Sequence, residues 1–382
     1  MLMSKYSSLL IAILLIYFVF IPALFACRYT VSEIGYADFS IDTYHLYLFK
    51  DENITDKQAS VFKRITNAAL LDANIKPEII DIKAMKDSSV LRYYPVKKST
   101  SAPSVALVAP DDKVKYFNLS QDSVAYKESV WLLTEKIGTS AIRERILDQI
   151  VRSYGIVLLV EGNNAIENQK ALALVQAAID EISRTMTAMP KPVEHPPLMI
   201  LLKKEQIREE EILLWSIGWK KENLLEPTVA IFYGRGRLMG QLLHGELLRD
   251  TVIRNLLLFV GADCECGLDR RWILGSMIPL RWNSKRQAEV LKVHKFDAEN
   301  PLVKAEMSQI LSLAPSNVSK LGKSDLYGYS EKEIELVMDK SATLEQVQES
   351  ETSSLLGRSW YWLIITFVLL TVTGIMIFIR RQ

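Results

Sequence analysis

The stretch that decides the fold runs Glu226-Pro-Thr-Val-Ala-Ile-Phe-Tyr-Gly-Arg-Gly-Arg-Leu-Met-Gly-Gln-Leu-Leu243 and continues as a helical pattern to Gly261. Its β-branched and aromatic run, Val229–Tyr233, predicts a strand. Gly234-Arg235-Gly236-Arg237 predicts a tight turn, because glycine adopts positive φ without strain. Leu238–Leu243 predicts the returning strand, and apolar residues then recur at helical spacing until Gly261, where a C′ glycine would end the helix. The stretch therefore predicts a β-hairpin that leads into an amphipathic helix.

The same order of elements occurs twice along the chain. Each series runs strand, helix, strand, a further segment, a hairpin introduced by proline, and helix, with Ala102–Val108 corresponding to Glu226–Phe232. The predicted strands are Tyr44–Phe49, Ile75–Ile82, Ser104–Ala109, Val114–Leu119, Ile156–Val160 and Leu198–Leu202, and the main predicted helices are Asp56–Ala73, Val124–Lys136, Ser140–Arg152, Ala165–Met186 and Glu205–Trp215. Alternating strands and helices predict an α/β protein with two tandem units, residues 41–152 and 155–261. One larger α/β domain with a mixed sheet is the alternative.

Each unit resembles a thioredoxin-like domain, whose C-terminal half is a proline-led hairpin followed by a helix. In that family, a Cys-x-x-Cys follows the first strand and begins the first helix. The matching positions here read Lys50-Asp51-Glu52-Asn53 and Gly162-Asn163-Asn164-Ala165, which contain no cysteine. Thiol–disulfide exchange needs a thiolate, so the resemblance implies the fold without the family's usual activity.

Two prolines match the cis-proline of the family. Pro227, and more weakly Pro103, precede the first strand of their hairpins. The resemblance implies a structural role for both, with a cis peptide bond as one expectation and a trans proline at a strand start as the other.

The composition gives no reason to propose a nucleic-acid partner. The 382 residues include 46 basic and 45 acidic side chains, a net charge of +1. A balance this close lacks the basic patch of a nucleic-acid-binding protein. No Walker loop, Gly-x-Ser-x-Gly or His-Glu-x-x-His motif is present, and we predict neither a cofactor nor a metal.

The sharpest chemical feature is Cys264-Glu265-Cys266, directly after the hairpin helix. With Cys27 these are the three cysteines of the chain, too few for a disulfide framework. The pair could be structural thiols, a strained redox-active disulfide, or two ligands of a metal site, although such sites usually need four ligands with a wider cysteine spacing.

Two clusters of arginine and tryptophan follow the cysteines. They are Arg270-Arg271-Trp272 and Arg281-Trp282. Arginine and tryptophan are enriched in interface hot spots, so we predict that Arg270, Arg271, Trp272 and Trp282 form a binding surface. The alternative is that the tryptophans belong to the core. Gly234–Arg237, by contrast, lacks the spacing of a phosphate-binding loop and predicts a hairpin turn with solvated arginines.

Both ends of the chain carry long apolar segments. Residues 1–27 predict a signal peptide or signal anchor, with lipidation of Cys27 as a further option. The run Trp360–Ile379 is about 20 residues long, enough to span a bilayer. Arg380 and Arg381 follow it and predict a cytoplasmic C-terminus, with the bulk of the chain outside the cytoplasm.

The sequence thus predicts a membrane protein with a signal or anchor at 1–27, thioredoxin-like units at 41–152 and 155–261, and a helical extension at 262–313. A stalk at 314–358 and a transmembrane helix at 359–380 follow. We predict a bacterial-type, periplasmic binding or scaffolding protein, accessory to a transporter or envelope complex and not an enzyme. A membrane-tethered thiol oxidoreductase that uses Cys264 and Cys266 is the alternative, and a ligand sensor with a cleft between the units is a third class.

Overall fold

The computed structural model describes residues 28–84, 89–95, 104–189, 191, 193–262 and 273–313. Within these residues, no helix combines the length and apolarity needed to cross a membrane. Both predicted membrane segments, the stalk, Pro103, Cys264, Cys266 and the Arg270–Trp272 cluster lie outside the described residues.

The first unit is a four-stranded sheet whose first two long helices pack on one face. Its strands are β1 (Tyr44–Lys50), β2 (Ile75–Asp81), β3 (Ser104–Val108) and β4 (Val114–Asn118), in the order β2-β1-β3-β4. β1 and β2 are parallel, and β3 is antiparallel to β1 and β4. The helices are α2 (Asp56–Ala69), α3 (Ser123–Gly138) and α4 (Ala141–Ile150). They follow α1 (Val31–Gly35), a short helix capped by Thr30 where the sequence predicts only an entry segment.

The second unit repeats this sheet. Its strands are β5 (Ile156–Val160), β6 (Leu198–Leu202), β7 (Thr228–Tyr233) and β8 (Arg237–Leu238), in the order β6-β5-β7-β8. The strand directions are also the same, with β5 parallel to β6 and antiparallel to β7. Its helices are α5 (Ala165–Thr185), α6 (Glu211–Ser216) and α7 (Asp250–Val260). A parallel βαβ unit, an antiparallel hairpin and a helix make a thioredoxin-like fold, and both sheets have this connectivity.

The central strands of the second sheet are buried on both faces, as the apolar run at β5 predicts. Every residue of β5 and β7 is buried. One face packs on α5, α7 and the N-terminal segment, and the other on α4, α6 and the chain after residue 277. Burial of this kind, at about 25 cal/mol per Å² of apolar surface, is the main force that holds a sheet between its covering layers.

Two more helices complete the described chain, α8 (Ser284–His294) and α9 (Pro301–Leu313). Met307 and Leu311 of α9 join the apolar cluster that contains α5 and α7. Tyr29 donates to Glu306 over 2.9 Å, which holds the N-terminal segment to α9. The N-terminal segment and the C-terminal extension therefore both pack on the second unit.

Three local predictions differ from the structure. Glu205–Trp215 is a 3-10 turn at Lys204–Gln206 and then the short α6. The second hairpin strand has two residues, and Gly240 beyond it has a positive φ of +69°. The Met239 amide still donates to the Ile231 carbonyl, and Val229 and Leu243 form an isolated bridge. Gly261 follows α7 but has a φ of −94°. The chain needs glycine there because a Cβ would lie 2.1 Å from the Tyr154 hydroxyl.

The prediction of solvated arginines in the hairpin turn is wrong. Arg237 is fully buried and Arg235 is 8% exposed. Arg237 pairs with Asp42 at 2.6 Å and donates to the carbonyls of Gly35, Ala37 and Gly275. The turn packs against the N-terminal segment so closely that a Cβ on Gly234 would lie 2.4 Å from the Gly35 carbonyl carbon. The hairpin arginines thus hold the N-terminal segment on the second unit.

Candidate functional site

The site at which the thioredoxin family carries its cysteines is closed by backbone in the second unit. Gly162 follows β5, and Asn164 caps α5 by accepting from the amides of Ile166 and Glu167. A Cβ at Gly162 would lie 2.5 Å from the Glu226 carbonyl carbon and 2.8 Å from the Pro227 nitrogen. There is no room for a side chain at this position without moving the backbone.

The loop around Gly162 is also held by hydrogen bonds. The Gly162 amide donates to Asn168 Oδ1 over 2.8 Å, and Asn168 Nδ2 donates back to the Gly162 carbonyl over 3.0 Å. The Asn163 amide donates to the Leu224 carbonyl over 2.8 Å. The described residues contain no cis peptide bond, so the bond before Pro227 is trans. Pro227 lies against the loop that follows β5, with its nitrogen 2.8 Å from the position of a Cβ on Gly162.

In the first unit the matching loop is polar. The Asn53 amide donates to Asp51 over 2.8 Å, and the Thr55 side chain caps α2. Lys50 pairs with Asp56 at 2.7 Å. These contacts satisfy the start of α2 locally, as caps do, and the loop contains no cysteine.

Trp282 is the one predicted binding residue that the structure describes, and it is buried. It is 6% exposed, and its ring nitrogen donates to Gln287 over 3.1 Å. The Arg235 guanidinium lies 5.3 Å from the centre of its ring. This burial favours the alternative in which the tryptophan belongs to the core. The neighbouring Arg281 pairs with Glu135 at 3.2 Å, which joins the extension to the first unit.

A cavity of about 550 Å³ lies where the second unit meets the N-terminal segment and α8. We call it the basic cavity. It is formed by three stretches of the second unit and its leading loop, together with α1 and the end of α8: Arg152, Tyr154, Lys191, Val193, Glu194, Val260, Gly261, Thr30, Ser32, Glu33, Lys292, Val293, His294 and Lys295. Its volume is in the usual range for small-molecule sites. It does not lie between the two units, where a sensor cleft was one expectation.

The charged groups of the basic cavity are partly paired. Lys191 lies 2.6 Å from Glu33, which is 6% exposed and also completes the capping box of α1. Arg152 lies 2.6 Å from Glu289 and 3.8 Å from Glu194. These pairs account for two cations of the wall.

The remaining cations come from the end of α8. Lys295 takes a left-handed conformation, with φ of +62°, and its amide caps the helix by donating to the Leu291 carbonyl. Its ammonium group donates to the Lys292 carbonyl over 2.7 Å. Lys292 is exposed and has no ion pair or side-chain hydrogen bond with a described residue. The wall contains four cations and two carboxylates, and the Glu289 carboxylate pairs with Arg152 from outside it, so one positive charge is in excess when His294 is neutral.

His294 forms part of this wall and is held neutral. Its Nε2 lies 3.0 Å from the Val151 carbonyl, so Nε2 carries the proton and Nδ1 is the acceptor. Burial lowers the pKa of His294, against the opposing effects of its hydrogen bond and Glu33. The ring packs 4.7 Å from the ring of Tyr36. Tyr154 is buried beside it, and burial raises the pKa of this phenol.

The basic cavity has no signal in the local sequence. Its residues come from five separate segments, and no motif spans them. The described residues contain no group of three or more His, Cys, Asp and Glu side chains placed to hold a metal ion.

No protein family and no curated protein sequence matches the chain. Among solved structures, it is similar to the zinc-bound form of human ERp44, with 8% identity, a TM-score of 0.22, and coverage of 61% of this chain and 60% of that one. It is also similar to the first two thioredoxin domains of Eps1p from Saccharomyces cerevisiae, with 12% identity, a TM-score of 0.21, and coverage of 57% and 92%. The corresponding Eps1p domains of Naumovozyma dairenensis are similar as well, with 11% identity, a TM-score of 0.17, and coverage of 55% of this chain and 88% of that one.

The chain thus spans 60% of the length of ERp44. The assignment of a thioredoxin-like fold rests on the strand order and strand directions of the two sheets.

Proposed function

We propose that this protein is a membrane-anchored binding or scaffolding protein whose thioredoxin-like units perform no thiol chemistry. The observation that carries the proposal is the closure of the family's cysteine position. Gly162 occupies it, and the Glu226–Pro227 backbone fills the space that a side chain would need. A fold that keeps its sheets but fills its redox site is suited to presenting surfaces to a partner.

Membrane attachment is the second part of the proposal and rests on the sequence. Trp360–Ile379 is long enough to span a bilayer, and Arg380 and Arg381 follow it. The bulk of the chain then lies outside the cytoplasm, and a transporter or another envelope protein in the same membrane is the expected partner. Protease digestion of sealed membrane vesicles tests this orientation. Right-side-out vesicles should lose the region of residues 28–358, and protection of that region would contradict the proposal.

Partner binding is tested by cross-linking in intact membranes, followed by extraction in mild detergent and mass spectrometry. We expect a defined membrane protein to co-purify in stoichiometric amounts. A strictly monomeric protein with no cross-linked partner would count against the proposal.

The alternative function, thiol–disulfide exchange by Cys264 and Cys266, is tested by thiol trapping and by reduction of a model disulfide substrate. We expect the full-length protein to show no more exchange activity than a Cys264→Ala/Cys266→Ala variant. A titratable dithiol, with activity that disappears in this variant, would instead assign thiol–disulfide exchange to the pair. Trapping also establishes whether Cys27 is lipidated or removed.

A further inference from the structure

We propose that the basic cavity binds a small organic anion, a carboxylate or phosphate attached to an apolar body, through Lys292 and Lys295. The site goes beyond the membrane partner proposed above, and it has its own readout. A cavity of about 550 Å³ is large enough for a molecule of metabolite size.

The charge distribution argues for an anion. Arg152 and Lys191 already face carboxylates at 2.6 Å, so their charges are largely compensated. Lys292 and Lys295 have no carboxylate partner among the described residues. Two uncompensated ammonium groups at one cavity wall attract an anion and can donate charge-assisted hydrogen bonds to it. Their place at the end of α8, where cations are favoured by the helix dipole, explains why the chain tolerates them so close together.

The other walls argue for an apolar body. Val193, Val260 and Val293 line the cavity beside the buried Tyr154. Small-molecule sites commonly combine such apolar walls with a few convergent polar groups. Inorganic phosphate alone would leave the apolar walls unused, so we expect it to bind more weakly than an organic phosphate.

Isothermal titration of the full-length protein in an uncharged detergent tests the proposal. The probes are phenyl phosphate, benzoate, inorganic phosphate and the neutral benzyl alcohol. We expect saturable binding of phenyl phosphate or benzoate at one site, weakening as salt is added, because exposed charges are screened. A saturable site for phenyl phosphate but not for benzoate would identify phosphate as the ligand group, and the reverse result would identify carboxylate.

The matched variants are Lys292→Met and Lys285→Met. Both remove one exposed lysine from α8, but Lys285 does not line the cavity. We expect Lys292→Met to weaken anion binding about tenfold, since a hydrogen bond to a charged group has about this effect, and Lys285→Met to leave it unchanged. A Lys292→Met/Lys295→Met double variant should weaken binding further.

Four results would overturn the proposal. The first is that Lys292→Met and Lys285→Met weaken anion binding equally. The second and third are that benzyl alcohol, or inorganic phosphate, binds as tightly as phenyl phosphate and benzoate. The fourth is that none of the probes shows saturable binding at millimolar concentration. Lys292→Met should still cross-link to the membrane partner in intact membranes. Failure of the anion site and failure of the partner proposal are therefore distinguishable.

Discussion

Arg237 is the residue on which the packing of the N-terminal segment depends. It is fully buried, pairs with Asp42 and satisfies three backbone carbonyls. Asp42 is itself largely buried, with 12% of its side chain exposed. Removing one partner of a buried pair leaves an uncompensated charge, which costs about 3–5 kcal/mol.

We therefore expect Arg237→Met to lower the free energy of unfolding by about that amount. The control is Arg208→Met, which removes an exposed arginine and should change stability by less than about 0.5 kcal/mol. Urea unfolding of the full-length protein, followed by tryptophan fluorescence, measures both. Equal stability of the two variants would show that Arg237 is not a structural anchor.

His294 should make stability depend on pH. Burial lowers the pKa of His294 in the folded protein, with Glu33 and Lys191 as the charged groups that act on it. The unfolded chain then binds a proton at a pH at which the folded protein does not. The contribution of the neutral His294 ring to the free energy of unfolding is fully present above the pKa of histidine in the unfolded chain, about 6.5. It is lost as the pH falls towards the lower pKa of His294 in the folded protein.

We expect wild-type protein to lose more stability than His294→Gln between about pH 7.5 and about pH 5.5. His195→Gln is the control, because the His195 side chain is 49% exposed, and it should keep the wild-type pH dependence. Urea midpoints at the two pH values give the comparison. Identical pH dependence of wild type and His294→Gln would contradict the assignment.

At the scale of elements, the loop between β5 and α5 packs tightly against the Glu226–Pro227 backbone. Gly162→Ala would place a Cβ 2.5 Å from the Glu226 carbonyl carbon. We expect the free energy of unfolding to fall by about 1–3 kcal/mol, which is typical of overpacking against a fixed neighbour. The control is Gly155→Ala, because the nearest atom to its Cβ would be the Phe232 oxygen at 3.3 Å. Thermal unfolding should show a larger decrease in stability for Gly162→Ala than for Gly155→Ala. The opposite order would mean that the backbone around Gly162 can move to accommodate a Cβ.

The elements themselves were largely predictable from local sequence. Alternation and apolar runs predicted each strand except the length of β8, and the resemblance between two hairpins predicted two sheets of one topology. The burial of Arg235 and Arg237 could not be predicted in this way. It depends on contacts with Gly35, Asp42 and Glu299, which are far away along the chain.

The basic cavity could not be predicted from local sequence for the same reason. Glu33, Arg152, Lys191 and Lys292 each resemble ordinary surface charges in their own segments. Only the folded chain brings them to one wall. For Trp282 the error has the opposite direction. Its neighbouring arginine led us to predict a binding surface, but the Arg235 guanidinium lies over its indole ring. Local pattern predicts elements well, but the environment of a charged or aromatic side chain is decided by its distant neighbours.

At the scale of the molecule, the chain from Gly275 to Trp282 links the two sheets. Tyr44 of β1 donates to the Met277 carbonyl over 2.9 Å, while Arg237 of β8 pairs with Met277 through the backbone. Asn74 donates to the Ile278 carbonyl over 3.0 Å and accepts from the Leu280 amide over 2.9 Å. One segment thus contacts the first unit through Tyr44 and Asn74 and the second unit through Arg237.

We expect Asn74→Ala to loosen the first sheet selectively. The substitution removes the two side-chain hydrogen bonds to this linking segment. We expect this to lower the free energy of unfolding of the first sheet by about 1–2 kcal/mol, while the cores around β5 and β7 keep their packing. Hydrogen exchange with mass spectrometry should show amides of β1 and β3 exchanging roughly 5–30-fold faster, with smaller changes in β5 and β7. Asn53→Ala is the control, because Asn53 is exposed and its side chain hydrogen-bonds to Asp51, away from the linking segment. If Asn74→Ala accelerated exchange equally in both sheets, the units would unfold as one cooperative body and the linking segment would not be the boundary between them.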